Sequence, residues 1–210
     1  MARITKFLAG LAIATVGLVT ANAPAQIASS SHDFSTMAWS GGEICKPCHT
    51  PHNAISGQPR LWNHELTTAT YTMHGGTGTA TVDFDQVSRM CLSCHDGTVA
   101  LDSFGGTSGT SFIPGDANLG INLTDDHPVG SDAEYPPSPQ PSWWAGAFKD
   151  PTALPSAIRL KDWTNPSNAV RKVVGCTTCH NAHNRGNFGN GAMLTMSNSA
   201  SALCLGCHIK

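Results

Sequence analysis

The chain has 210 residues and a formal net charge of −2, and its 12 lysines and arginines are scattered along the sequence rather than clustered. This distribution argues against a nucleic-acid-binding protein, which presents a concentrated basic surface. Charged residues make up only 12% of the chain, while 21 glycines and 13 prolines interrupt it. Few long periodic apolar segments remain, so the polypeptide alone predicts a poor hydrophobic core.

Residues 1–25 have the organisation of an export signal. A basic start precedes an apolar stretch at 7–20, and the small residues ANAPA at 21–25 provide a cleavage site. We predict cleavage after Ala25 and a mature domain at 26–210. A retained membrane anchor is the alternative, but about 14 apolar residues fall short of the roughly 20 that span a bilayer. No later stretch is long and apolar enough to cross a membrane, so no membrane span is expected after cleavage.

A pentapeptide of the form CxxCH occurs four times and uses all eight cysteines of the chain. It reads CKPCH at 45–49, CLSCH at 91–95, CTTCH at 176–180 and CLGCH at 204–208. Two thiols three positions apart can each bond a vinyl group of one porphyrin, and the following imidazole can bind its iron, which is the attachment pattern of c-type haem. We therefore predict four covalently bound haem c groups. The predicted covalent residues are Cys45, Cys48, Cys91, Cys94, Cys176, Cys179, Cys204 and Cys207, and the predicted proximal ligands are His49, His95, His180 and His208.

Three other chemistries use similar cysteine patterns. A CxxC pair is also found in half of a zinc site and in thioredoxin-like redox pairs. Eight cysteines in an exported protein are also compatible with a disulfide framework. None of these alternatives requires a histidine directly after every second cysteine, so the haem interpretation is favoured.

The first and third motifs share a longer pattern, CxxCHxxHN, and each copy is followed by a plain CxxCH. This repetition predicts two paired-haem units, around 45–95 and 176–208, within one tetrahaem domain. A long connection joins them, with glycine-rich and proline-rich loops at 97–155. The Trp143–Trp144 pair in this connection is expected to cover a haem, with a role in an interface as the alternative.

The remaining predicted elements are short. Residues 60–85 are expected to be extended or irregular, and a helix is predicted from about Asp85 to His95 because no breaker interrupts that stretch. Residues 169–174 are predicted to form a short strand or a lead-in to the third motif.

The last element is predicted from apolar residues that recur at near-helical spacing over 193–208. A shorter helix capped by Ser197 or Ser199 is the alternative. The predicted fold class is a multihaem cytochrome c: mostly loop with a few short helices, little or no sheet, and a core formed by four stacked haems.

Six histidines remain after the four proximal ligands are assigned, and four irons need four more axial ligands to become six-coordinate. Five of the six are the predicted distal ligands, namely His32, His52, His64, His127 and His183. The sixth, His74, has the weakest case. Methionines are expected to pack against porphyrin faces instead.

Spacing suggests how these ligands pair with the haems. His52 and His183 each lie three residues after a proximal histidine, too close to reach the far face of the same haem, so each should bind a neighbouring one. The simplest pairing gives His52 to the second motif and His183 to the fourth. His127 would then serve the third motif, and either His64 or His32 the first. Iron with two histidine ligands has no vacant position for a substrate, which argues against an enzyme.

Five candidates for four irons leave one ligand over. Either one of them is structural, or one is donated to another subunit, and His32 on the polar N-terminal arm is the natural donor. Exchange of a ligand from head to tail that does not close generates an open filament. The expected partners are therefore identical subunits in a head-to-tail polymer, together with other periplasmic or outer-surface cytochromes.

Several segments together are similar to a known family. They are HDF at 32–34, CHTPHN at 48–53, LWNH at 61–64, CLSCHDGTVA at 91–100, DHPVG at 126–130 and the segment 197–210. With four haems in a chain of this size, the sequence resembles the doubled-CxxCH cytochromes of metal-reducing bacteria, and most closely the OmcE-type tetrahaem cytochromes that form extracellular nanowires. The resemblance implies histidine ligation on both faces of every haem, alternating parallel and T-shaped haem stacks, and one ligand from the adjacent subunit.

The sequence thus predicts an electron carrier rather than an enzyme. The preferred prediction is a subunit of an extracellular filament that carries electrons to external acceptors. Two alternatives stay open: a monomeric periplasmic electron shuttle, and a multihaem reductase with one five-coordinate haem.

Overall fold

The computed structural model describes residues 26–188 and 192–210. The predicted export signal at 1–25 lies outside the described residues. Among the described residues, no helix has the length and apolar character needed to cross a membrane.

Three short α-helices lie within residues 26–188 and 192–210, which are otherwise mostly loop. They are α1 (Gln86–His95), α2 (Trp144–Ala147) and α3 (Cys176–Cys179). α1 begins at Asp85, whose carboxylate accepts hydrogen bonds from the N–H groups of Val87 and Ser88 and so caps the first turn. This confirms the predicted helix. Single 3₁₀ turns lie at Phe34–Thr36, Ala38–Ser40, Pro59–Leu61, Gly115–Ala117, Gly130–Ala133, Pro151–Ala153, Ser199–Ser201 and Cys204–Gly206.

Sheet structure is confined to two antiparallel hairpins in the described part of the chain. Strands β1 (Thr70–Met73) and β2 (Gly76–Thr79) pair across a two-residue turn. Strands β3 (Lys161–Thr164) and β4 (Val170–Val173) pair across a longer loop. The predicted short strand at 169–174 is confirmed by β4. The few helices and two small sheets agree with the predicted content of short helices and little sheet.

The described residues contain two small apolar clusters rather than one large core. The first joins the β1–β2 hairpin to α1 through Tyr71, Met73, Ala80, Phe84, Leu92 and Leu123. The second surrounds Tyr135 and Trp144 and includes the side chain of Cys207. Trp144 is buried there, whereas its neighbour Trp143 is 62% exposed. Each cluster packs a CxxCH motif against the surrounding loops.

The helix predicted at 193–208 is wrong. Leu194 instead forms isolated β-bridges with both His180 and Phe188, and Met193 has a φ of 51°. Only two 3₁₀ turns follow, at Ser199–Ser201 and Cys204–Gly206. The apolar spacing suggested a helix, but pairing with the third motif holds this segment extended.

Candidate functional site

Each CxxCH motif folds into a helical turn. The histidine N–H donates to the carbonyl of the first cysteine at 2.8 Å in the first motif, 3.0 Å in the third and 2.9 Å in the fourth. The second motif forms the end of α1. Because residues three apart in such a turn lie on the same face, both thiols of a motif face the same side. All eight cysteines are free, so the disulfide framework is not the arrangement adopted.

Three proximal histidines are oriented by backbone carbonyls. The pairs are His49 Nδ1 with Arg60 O at 2.7 Å, His95 Nδ1 with Ala117 O at 2.8 Å, and His180 Nδ1 with Ala192 O at 2.8 Å. A neutral imidazole that donates from Nδ1 keeps the lone pair of Nε2 for a metal. This is the tautomer that a haem ligand requires.

Short antiparallel bridges bring some of these carbonyls into place. His49 bridges to Trp62, next to the Arg60–Leu61 turn, and His180 bridges to Leu194. The equivalent bridge of His208 is formed with Phe148, whose ring centroid lies 4.6 Å from that of the histidine. Sequence reasoning missed these orienting groups because a main-chain carbonyl has no side-chain signature.

Three proximal histidines also face a second imidazole. The ring centroids are 6.1 Å apart for His49 and His183, 6.0 Å for His95 and His32, and 6.3 Å for His208 and His127. A metal–imidazole bond of about 2 Å on each side, plus roughly 1 Å from each nitrogen to its ring centre, gives about 6 Å between two axial ligands of one metal. The three pairs therefore fit an iron held between them.

These pairs differ from the pairing that the spacing suggested. His183 lies beside the first motif rather than the fourth, and His127 lies beside the fourth rather than the third. His32 lies beside the second motif, with its Nδ1 3.2 Å from Ala182 O. Sequence distance failed as a guide because the described chain folds back, bringing the tail of the third motif to the first motif.

The other histidines have different surroundings. His64 is 1% exposed, and its Nδ1 and Nε2 lie 2.8 and 3.0 Å from the carbonyls of Glu65 and Ala100. Each ring nitrogen therefore lies beside a backbone carbonyl, and a neutral ring donates to only one of the two. His74 lies 3.8 Å from the Asp132 carboxylate. His52 is exposed, and no ring contact or hydrogen bond engages its imidazole within 26–188 and 192–210.

Burial lowers the pKa of three of the paired histidines. It is the main cause for His32, His183 and His208, and the facing imidazole of His95, His49 or His127 adds to it. The lowered pKa keeps these rings neutral, as metal ligation requires.

Burial also raises the pKa of the Cys48 and Cys179 thiols to about 11. At these two positions the neutral thiol is favoured over the thiolate on which thioredoxin-like exchange depends.

Successive motifs adjoin one another in chain order. Electrostatic interactions link the thiols of Cys48 and Cys94, and those of Cys179 and Cys207. Between them, the Cys91 and Cys176 thiols hydrogen-bond to each other, which raises the pKa of Cys91. The Cys176 N–H also donates to Ser88 Oγ on α1 at 2.9 Å. Each motif therefore has a thiol that interacts with a thiol of the next motif in the sequence.

The comparisons with known proteins agree with this chemistry. Residues 168–210 match a family model described as the doubled CXXCH motif. No curated protein matches the chain. The matched segment contains the third and fourth motifs, and 45–95 contains another pair of the same form. The CXXCH motifs indicate covalently bound c-type haem, and the family match supports the description of this chain as a multihaem c-type cytochrome of the kind that is typically exported.

Proposed function

We propose that the protein is an exported electron carrier that holds four haem c groups and works as a subunit of an extracellular filament. The observation that carries the proposal is the set of three imidazole pairs at 6.0–6.3 Å, each joining a motif histidine to a distant one. Such spacing fits iron with two histidine ligands.

The residues of each motif have separate roles in this proposal. The two thiols of a motif would hold the porphyrin, and the motif histidine and the histidine facing it would bind the iron. Backbone carbonyls at Nδ1 fix the orientation of three motif imidazoles. Bound haem supplies one-electron chemistry at its iron. An iron with two histidine ligands would have no position left for a substrate, which favours a carrier over a reductase.

The thiol neighbours support a continuous row of four haems. The interacting pairs are Cys48 with Cys94, Cys91 with Cys176, and Cys179 with Cys207. Haems attached at neighbouring motifs would pass electrons from one to the next.

The surroundings of the histidine in the third motif support the filament proposal. In the described part of the chain, no second imidazole is in ring contact with the exposed His180, although its Nδ1 is oriented like those of its counterparts. His52 is the exposed candidate without a proximal partner. We assign His52 as the ligand that one subunit donates to the third motif of the next, in place of His32, which faces His95 within the chain.

The test combines mass, spectrum and microscopy of the purified protein. We expect a mass with four haems attached, a low-spin ferric spectrum in the assembled protein, and filaments by electron microscopy. The monomeric periplasmic shuttle is the second candidate, since it uses the same ligand pairs. Discrete particles under all assembly conditions would favour the shuttle, and a persistent high-spin band in the assembled protein would favour a reductase.

A further inference from the structure

The second motif differs from the others in the residue after its histidine. Asp96 follows His95, whereas Thr50, Asn181 and Ile209 occupy the same place after the other three motifs. The Asp96 side chain is buried, with the residue only 3% exposed. Aspartate is rarely buried without a partner, because removing its charge from water is costly.

Four hydrogen bonds hold the buried carboxylate. The hydroxyls of Thr67 and Tyr71 each donate to Oδ2 at 2.6 Å, and the N–H and hydroxyl of Thr98 donate to Oδ1 at 2.8 Å. All four partners donate to the carboxyl oxygens, which is the hydrogen-bonding arrangement that a buried carboxylate needs. Burial, together with the hydrogen bond to Asp96, raises the pKa of Tyr71, so this hydroxyl keeps the proton that it donates.

No cation neutralises this charge directly among the described residues. Their ion pairs are His74–Asp132, Arg171–Glu134 and Lys172–Asp162. The guanidinium of Arg89 lies nearby but donates to the carbonyl of Thr67 at 3.0 and 3.1 Å. The charge of Asp96 reaches the motif itself, where it adds to burial and to Cys48 in raising the pKa of the Cys94 thiol.

We propose that Asp96 sets the reduction potential at the second motif. Consecutive Cα atoms lie about 3.8 Å apart, and a buried charge acts through a low dielectric. The fixed carboxylate therefore favours the oxidised state of the iron that His95 binds, which carries one more positive charge. A haem held there would take its electron from an external reductant, and the Asp96 carboxylate would make that one-electron reduction less favourable. The proposal rests on the proposed function, because it requires haem at Cys91 and Cys94.

The experiment is a redox titration of the holoprotein followed in the visible spectrum. In Asp96→Asn we expect the reduction potential of one haem to rise. The equilibrium constant for its one-electron reduction should increase at least tenfold, which corresponds to about 59 mV. Asp116→Asn is the matched control. Asp116 directly precedes Ala117, whose carbonyl orients His95, but the Asp116 side chain is exposed. Water and salt screen an exposed charge, so the control should shift the titration much less.

Two further variants separate charge from packing. Tyr71→Phe disturbs the same buried site but keeps the carboxylate, so it should not raise the potential. Asn181→Asp places a carboxylate directly after the third motif and should lower the reduction potential of one haem. This second variant decides the outcome if Asp96→Asn yields no haem-loaded protein.

Several results would overturn the proposal. An unchanged redox titration of haem-loaded Asp96→Asn would do so. A rise in reduction potential as large in Tyr71→Phe as in Asp96→Asn would also do so. If Asp96→Asn yields no haem-loaded protein, an unchanged titration of Asn181→Asp overturns the proposal. Peptide mass analysis keeps these failures apart from failure of the proposed function. Absence of haem from Cys91 and Cys94 in the unaltered protein would contradict haem binding at the second motif itself.

Discussion

His49 and His183 face each other with ring centroids 6.1 Å apart and ring planes inclined by 31°, although they belong to different repeats of the paired motif. His183 lies in the tail of the third motif, yet its ring lies beside the histidine of the first. The two repeats are therefore interlocked rather than arranged as separate units. Under the proposed ligation, a ligand that passes between repeats of one chain makes exchange between chains a small further step.

Replacing His183 with alanine should convert one haem from low spin to high spin, because the iron at the first motif loses its second imidazole. The measurement is the visible spectrum of the ferric protein, with the haem count checked by mass. His74→Ala is the control, since His74 faces Asp132 instead of a motif histidine. A low-spin spectrum retained in His183→Ala would contradict the assigned pair.

Replacing His52 with alanine should prevent filament formation while leaving all haems attached, because one subunit can no longer complete the third motif of the next. The dispersed subunits should show a single high-spin haem. By contrast, His32→Ala should still form filaments and should show the high-spin change at the second motif. Electron microscopy and visible spectra of the two variants distinguish these outcomes, and filaments from His52→Ala would rule out its role between subunits.

Truncation of Leu92 to alanine should lower the free energy of unfolding by about 2–5 kcal/mol, the usual cost of removing a buried leucine. Leu92 is 1% exposed and belongs to the cluster that joins α1 to the β1–β2 hairpin. Leu205→Ala is the matched control, because Leu205 holds the same place in the fourth motif but is only half-buried. Denaturant unfolding of the holoproteins measures both, and equal losses would contradict the assigned packing.

The N-cap of α1 should contribute measurably to stability. Asp85→Ala removes the acceptor for the N–H groups of Val87 and Ser88 and should cost about 1–2 kcal/mol in unfolding free energy. Asp150 caps a single exposed turn in a similar way, through Thr152. Because surface substitutions seldom exceed about 0.5 kcal/mol, thermal unfolding of Asp150→Ala should differ little from that of the unaltered protein.

Acidification should destabilise the protein through its paired histidines. The pKa of His32, His183 and His208 lies below 6.5 in the folded chain, mainly because of burial. Between the folded and unfolded pKa the unfolded chain binds more protons, so stability is full above pH 6.5 and falls as the pH decreases below it. Iron ligation acts in the same direction, since protons compete for Nε2. Denaturant unfolding from pH 8 down to about 4 checks this, and stability that rises on acidification would contradict it.

Local signals in the sequence predicted α1 well, because Asp85 caps an uninterrupted stretch that ends in the second motif. They failed at Met193 and Leu194, where apolar spacing resembled a helix but the chain instead runs alongside His180. Counting singled out the distal candidates, and three of them lie beside a motif histidine. Counting did not give their partners, because the path of the loops decides which imidazole meets which motif. The orienting carbonyls could not be predicted from the sequence, since every residue has a backbone carbonyl. They belong to Arg60, Ala117 and Ala192.

Under the proposed export and ligation, the contact between His49 and His183 would also set an order in time. A chain threaded from its N-terminus would release His32 before the second motif, so that site would have both ligands as soon as it emerged. The first motif would emerge earlier than the second but would wait for His183 while most of the remaining chain crossed the membrane. A chain interrupted before residue 183 would then keep a ligand-accepting haem at its oldest site.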